Sequence, residues 1–315
     1  MNQSFNRRAI PSTARESRWS AADGQALRRI DWAVPGGTAK GSLLFMPGRG
    51  DCYEKYLETL DHWHTLGWHV TAADWRGQAG SGRLGSDDVT GHIDDFATWV
   101  ADLAAFWREW SAATPGPHVL VGHSMGGHLV LRAVAEGRAD PDGMILSAPM
   151  LGFLDRGVPT PVMHLAARLM KALGDPRRPA WKWSEKPGEV PDDRITLLTH
   201  DVDRYADELW WRAQRPELAM GPGSWGWVER AYASIRALAR PLALDAVRMP
   251  VLVVATDNDR LVDYAAIVRA VSRLGDCQLL RFGAEAHHEV LREEDAVRDR
   301  AIEACDDFLA RIAAG

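Results

Sequence analysis

The run Gly122-His123-Ser124-Met125-Gly126 sets a serine in the pattern G-x-S-x-G, and Gly127 extends the stretch of small residues. His118–Val121 before it is strand-like and His128 onward is helix-like. Glycines let a strand and a helix approach closely around a sharp turn, which lifts a serine hydroxyl above the sheet instead of burying it. That context points to Ser124 as a nucleophile. The competing reading, a serine that merely shapes a turn, leaves the flanking strand and helix unexplained.

A serine hydroxyl alone is a weak nucleophile near neutral pH. It needs a base to take its proton, and the base needs an acid that fixes its tautomer and supports the imidazolium. Two carboxylates, Asp257 and Asp259, follow the apolar strand Val251–Ala255, and position alone favours neither strongly. Two histidines, His287 and His288, follow the strand Gln278–Phe282; neighbouring side chains point apart, so one of them is expected to meet Ser124. The order serine, acid, histidine favours His288 as base. Stabilisation of a developing oxyanion calls for two N–H donors. The glycine-rich exit Pro47-Gly48-Arg49-Gly50 after an early strand offers the backbone N–H of Arg49, and the elbow offers that of Met125.

These residues need a scaffold of alternating strands and helices. Leu27–Val34 reads as an early two-stranded or edge portion, followed by a turn at Pro35-Gly36-Gly37, and GSLLFMPGRG as a short buried strand breaking into glycines. Tyr53–Leu66 is predicted as helix and Trp68–Ala73 as strand. Ile93–Trp110 repeats apolar groups at helical spacing, with Phe96, Val100, Leu103, Ala104 and Trp107 on one stripe. GMILSAPM is a further strand, Tyr264–Leu274 a helix, and Val297–Ala313 a final helix packing Ala301, Ile302, Cys305, Phe308 and Leu309 inward. The alternation predicts an α/β fold with a mostly parallel central sheet and helices on both faces. The rhythm breaks from 151 to 245, where six tryptophans fall: Trp181, Trp183, Trp210, Trp211, Trp225 and Trp227. They suit either packing among short helices or the lining of an apolar channel.

The expected organisation is a flexible arm over residues 1–24, a first core portion over 25–150, a helical insertion over 151–245 and a second core portion over 246–315. The 315-residue chain has 46% apolar and 25% charged residues, as in an ordinary globular enzyme. Its net charge of -6 removes the broad electrostatic reason to expect nucleic acid as a partner. The N-terminal stretch carries positive charge without a following apolar core, and no segment approaches the roughly 20 apolar residues that span a bilayer. Cys52, Cys277 and Cys305 stand too far apart for a disulfide framework or metal knuckle, so a cytoplasmic setting is expected. Asp87, Asp88, Asp94 and Asp95 read as solvated loop and helix-cap residues.

The motifs FMPGRG, DWRGQAGSG, VGHSMGG, MPVLVVATDNDRLVD and AHHEVLREED, spread from about residue 43 to 295, together resemble the lysophospholipase and monoacylglycerol-lipase-like branch of the α/β-hydrolases. The resemblance implies that Ser124 is the nucleophile, that Asp259 is the acid through D-R-L-V-D, and that His288 is the base through H-E-V-L-x-E. It maps Arg49 and Met125 as the oxyanion-hole N–H donors and the 151–245 insertion as a helical lid. Pro47 stands where related loops carry histidine, and Thr256 where a glycine is frequent. The implied activity is cleavage of carboxylic esters through an acyl-enzyme, with no metal or organic cofactor. The implied partner is a small acyl ester with one apolar chain, met at times on a lipid surface. Peptidase, thioesterase or small-ester hydrolase activity is the enzymatic alternative, and an acyl-ligand-binding protein the non-enzymatic one. Aspartate-nucleophile chemistry is disfavoured because the elbow carries serine.

Overall fold

The computed structural model describes residues 5–35, 38–154, 157–182 and 194–315. Eight strands form one sheet in the order β1-β2-β4-β3-β5-β6-β7-β8. They are β1 (Ala14–Ser20), β2 (Ala26–Trp32), β3 (Ser42–Met46), β4 (His69–Ala73), β5 (His118–His123), β6 (Gly143–Ser147), β7 (Val251–Thr256) and β8 (Cys277–Phe282). The β1–β2 and β2–β4 pairs are antiparallel, and all pairs from β4 to β8 are parallel.

Side chains alternate across a strand, and this sheet is apolar on both faces because both are covered. Leu44, Met46, Leu120, Val253 and Ala255 enter one apolar cluster; Leu43, Phe45, Val119, Val121, Leu252 and Val254 enter the other. Helices α2 (Phe96–Ala113), α3 (Met125–Ala135) and α8 (Tyr264–Val271) contribute to the first cluster. Helices α1 (Leu57–Thr65) and α9 (Asp295–Ala313) contribute to the second. Phe96, Val100, Leu103 and Trp107 of α2 are buried as the stripe requires, and so are Ala301, Ile302, Cys305, Phe308 and Leu309 of α9. Each fully buried leucine or phenylalanine contributes about 1.5–3 kcal/mol of transfer free energy. Asp95 caps α2 by accepting the Ala97 N–H at 2.9 Å.

Between β6 and β7 lie α4 (Thr160–Ala172), α5 (Ile195–Leu198), α6 (Val202–Gln214) and α7 (Trp225–Leu238). They do not behave alike. Trp227, Ala231, Ile235 and Leu238 of α7 belong to the apolar cluster beneath β5, so α7 is part of the core. Helix α4 leans on α7 through buried His164 and Ala167, with the His164 ring stacked on Tyr232. Its other face leaves Val162, Leu165 and Leu169 more than half exposed, and Leu173 just beyond is 71% exposed. Of the tryptophans in this stretch, Trp211 and Trp227 are buried, Trp210 and Trp225 half-buried and Trp181 exposed; Trp183 lies outside the described residues. The predicted turn at Pro35-Gly36-Gly37 likewise falls on undescribed positions 36 and 37.

Of the expected flexible arm over residues 1–24, the described part, 5–24, includes a strand. Ala14–Ser20 pair with β2 over their whole length, from Ala14 opposite Trp32 to Ser20 opposite Ala26. Arg7 and Arg8 both pair with Asp207 of α6, at 2.5 and 2.6 Å. The strand was hidden because it is a sheet edge: only Trp19 is buried, and Arg15, Glu16 and Arg18 give it the charge that keeps edges from pairing with other chains. Helix α3 also begins at Met125 instead of near His128. Close packing there overrides the low helix propensity of Gly126 and Gly127.

Candidate active site

Strand β5 ends at His123 and α3 starts at Met125, so Ser124 forms the whole turn, with φ 52° and ψ -117°. A non-glycine residue at positive φ is strained and persists only where its surroundings fix it. The Ser124 N–H donates to Ser147 O at 2.9 Å, and Ser124 O accepts from Met150 N–H at 2.9 Å and His128 N–H at 3.0 Å. Neighbouring glycines are required by space. A Cβ on Gly126 would sit 2.3 Å from Met46 O and 2.4 Å from Pro47 O, and one on Gly122 would sit 2.7 Å from Gly127 N.

His288 follows β8 and brings Nε2 to 2.9 Å from Ser124 Oγ. Its Nδ1 lies 2.6 Å from Asp259 Oδ2, in the turn after β7. An ionised Asp259 assigns the proton to Nδ1, so Nδ1–H donates to the carboxylate and Nε2 accepts the Ser124 hydroxyl. Asp259 Oδ1 accepts the Leu261 and Val262 N–H groups at 2.7 and 3.0 Å, which fixes the carboxylate plane.

Burial alone would raise the Asp259 carboxyl, but the His288 charge and hydrogen bond, with the two backbone donors, hold it below its ordinary value. Burial alone would lower His288, yet Asp259 first, then Glu289 and Asp51, carry it above the usual imidazole value. His123, with its ring centroid 5.0 Å from that of His288, is pushed down to about 4 by burial and the nearby His288 charge. It stays neutral beside the pair.

The rival residues face elsewhere. Asp257 pairs with Arg281 at the surface, and His287 stacks on His200 with ring centroids 3.8 Å apart. Asp87 accepts the Val89 and Thr90 N–H groups, and Asp94 is exposed beside His92, in keeping with loop and cap roles.

The β3 exit loop runs along the serine: a Cβ on Gly48 would come 3.1 Å from Ser124 Cβ. Gly48 N–H donates to Asp51 Oδ2 at 3.2 Å and Gly50 N–H to Gln78 Oε1 at 2.7 Å, so the Arg49 peptide is braced on both sides. Met125 N–H heads α3 and lacks a carbonyl four residues back within the helix. The Arg49 side chain donates to Gly221 O at 2.7 Å and lies over the Trp181 and Trp227 rings, 5.2 and 5.0 Å from their centroids.

Beneath this loop is a buried ionic group that the sequence did not reveal. Asp51, His123 and Glu289 bring potential metal-ligating atoms within 4.8 Å of one another. The ammonium of Lys55 lies among them, 2.7 Å from Asp51 Oδ1 and 3.0 Å from Glu208 Oε2, and also paired with Glu289. The positive charge these carboxylates require is thus carried by a side chain. A cavity of about 470 Å³ opens near α7 and α8, lined by Leu131, Phe153, Ile235, Leu244 and Arg273 among others, but Ser124, Asp259 and His288 are not in its wall.

The family model Hydrolase_4, described as serine aminopeptidase, S33, matches residues 37–295. The chain belongs to this family. Among its relatives, lysophospholipase L2 of Escherichia coli (strain K12) is 30% identical over 287 residues, covering 85% of this chain and 80% of the relative. Monoacylglycerol lipase of Mycolicibacterium smegmatis is 25% identical over 294 residues, covering 91% and 94%. A crystal structure of a soluble variant of monoglyceride lipase from Saccharomyces cerevisiae, in complex with a substrate analog, superposes with TM-score 0.74 at 18% identity, over 98% of this chain and 99% of that one. The fold is that of the α/β-hydrolases, as the motif resemblance implied.

Proposed function

We propose that this Hydrolase_4 member is a serine hydrolase of carboxylic esters bearing one apolar acyl chain, of the lysophospholipase and monoacylglycerol-lipase kind. The observation that carries the reading is the single line of contacts from Ser124 Oγ through the His288 ring to Asp259, at 2.9 and 2.6 Å. The names of the relatives in E. coli and M. smegmatis support the substrate class.

In the proposed cycle Ser124 Oγ attacks the ester carbonyl carbon while His288 Nε2 takes the hydroxyl proton. The carbonyl oxygen gains charge between the Arg49 and Met125 N–H groups, whose attraction grows as that charge develops. His288 returns its proton to the departing alcohol oxygen as the carbon–oxygen bond breaks, leaving the acyl group on Ser124. Water then gives a proton to His288 and attacks the same carbon, and the fatty acid leaves as Ser124 recovers its proton. Asp259 stays ionised throughout and holds the ring. None of these steps calls for a metal or organic cofactor.

We further assign α4, and not the whole 151–245 insertion, as the part acting as a lid. Val162, Leu165, Leu169 and Leu173 recur at helical spacing on the solvent side, beside Arg168. Such a row suits contact with a lipid surface from which a single-chain ester is drawn. Among the described residues no helix is long and apolar enough to cross a membrane. Free Cys52, Cys277 and Cys305 fit a reducing compartment such as the cytoplasm. A peptidase reading is favoured by one observation, the aminopeptidase description of the family model. A panel of monoacylglycerols, lysophospholipids, thioesters and peptides, offered to wild type and Ser124→Ala, separates the two: Ser124-dependent fatty acid release supports the ester reading, and exclusive peptide turnover overturns it.

A further inference from the structure

The ionic group under the site joins three segments that are remote in sequence. Lys55 lies on the short helical turn after β3, with its side chain 2% exposed, and its ammonium meets Asp51, Glu208 and Glu289. Asp51 belongs to the β3 exit loop. Its Oδ2 accepts from Gly48 N–H at 3.2 Å and from the Tyr56 hydroxyl at 2.8 Å, so the carboxylate that pairs with Lys55 also holds the peptide preceding Arg49.

Glu289 is the residue after His288, and its N–H donates to Leu198 O at 2.8 Å. Glu208 lies on α6 and also pairs with Arg292 at 3.0 Å and Arg212 at 2.7 Å. Arg292 in turn pairs with Glu289. Every charge in the group therefore meets an opposite one, as burial demands.

We propose that Lys55 is a positioning residue. Its ammonium clamps the oxyanion loop at Asp51 to the histidine loop at Glu289, and ties both to α6 at Glu208. The clamp sets the Arg49 N–H relative to Ser124 and His288, and it acts through Asp51 without touching substrate. This inference rests on the Ser124 reading given above.

A buried ion pair need not stabilise a fold more than apolar groups of the same shape would. Here the cluster fixes two loops to each other, and a displacement on the order of 1 Å in a catalytic group costs on the order of 10²-fold in rate. The clamp acts on the transition state, where the oxyanion donors tighten, so its loss is expected in kcat and in affinity for tetrahedral adducts while KM is unchanged.

The test uses Lys55→Met, which keeps the side-chain length without the charge, and Asp51→Asn, which keeps an oxygen for Gly48 N–H and Tyr56 but weakens the ion pair. Both are assayed on a soluble short-chain ester, well below the melting transition and with folding checked by circular dichroism. Affinity for a boronic acid that forms a tetrahedral adduct on serine is measured alongside. Lys55→Met is expected to lower kcat on the order of 10²-fold and Asp51→Asn on the order of tenfold, each with unchanged KM and a matching loss of boronic acid affinity. If Lys55→Met does not fold, Asp51→Asn alone decides. A folded variant with wild-type kcat and boronic acid affinity overturns the clamp, even if its melting temperature falls, and so does a loss confined to KM. Fluorophosphonate labelling of the wild type keeps the two readings apart: failure to label Ser124 overturns the nucleophile assignment, whereas labelling with intact kcat in the variants overturns the clamp alone.

Discussion

His288 Nδ1 lies 2.6 Å from Asp259 Oδ2, while Asp257, only two residues earlier, turns outward to Arg281. The turn after β7 thus divides two similar carboxylates between a buried and a surface role. Backbone donors at Leu261 and Val262 hold Asp259 in place, and Asp257 receives nothing comparable from the site.

Asp259→Asn is therefore expected to lower kcat by on the order of 10³–10⁴-fold, because an amide opposite Nδ1 favours the wrong tautomer and withdraws support from the imidazolium. Asp257→Asn removes only a solvent-screened surface ion pair and should leave kcat unchanged. Steady-state rates of the two purified variants check this; equal losses would contradict the assignment.

The pH profile follows from the sign of the His288 shift. His288 must be neutral to accept the Ser124 proton, and Asp259 holds its pKa above the ordinary value. The acidic limb of kcat/KM should accordingly fall off at a pH above the roughly 6.5 of an unperturbed imidazole. In Asp259→Asn the largest of the groups that raise His288 loses its charge, so the residual activity should show that limb displaced to lower pH than in the wild type. His287→Ala, which removes a ring stacked on His200, should leave the limb where it is, and His288→Ala should abolish it together with most activity.

Gly126 is fixed by space and not by φ. The methyl of Gly126→Ala would press on the carbonyl oxygens of Met46 and Pro47, at 2.3 and 2.4 Å, and neither belongs to a flexible side chain. Overpacking of this kind costs about 1–3 kcal/mol. A lower melting temperature together with a lower kcat is expected, since the displaced loop carries Arg49; unchanged melting and rate would show that the elbow has slack.

The exposed row on α4 offers a separate test. Leu165→Glu with Leu169→Glu should reduce co-sedimentation with vesicles of anionic phospholipid and slow turnover of a monoacylglycerol presented in them. Turnover of a soluble short-chain ester should be unaffected, because neither side chain meets the Ser124–His288–Asp259 line. Unaltered vesicle binding would remove α4 from the account.

How much of this was legible in the sequence depends on whether a signal is local. The G-x-S-x-G run carries its strand, turn and helix within a few residues, and β3, β5 and β7 are short apolar runs that suit only a sheet covered on both faces. The choice between Asp257 and Asp259 is legible from position only as a pair, since both sit in one turn and their divergence is a matter of backbone direction. β1 escaped because an edge strand with one buried residue has no apolar pattern. The group formed by Asp51, Lys55, Glu208 and Glu289 escaped almost entirely. Asp51 and Lys55 have the spacing of an ordinary surface pair, and only folding brings Glu208 and Glu289 to the same ammonium.

The central claim is that Ser124 attacks an ester carbonyl with His288 as its base. The most direct measurement is mass spectrometry of the intact protein and its peptides after brief exposure to a fluorophosphonate, paired with fatty acid release from monoacylglycerol and lysophospholipid. A single adduct on Ser124, with labelling and ester turnover both lost in Ser124→Ala, is the predicted result. A folded Ser124→Ala protein that still hydrolyses these esters at the wild-type rate, or a wild type labelled at another residue, would contradict it.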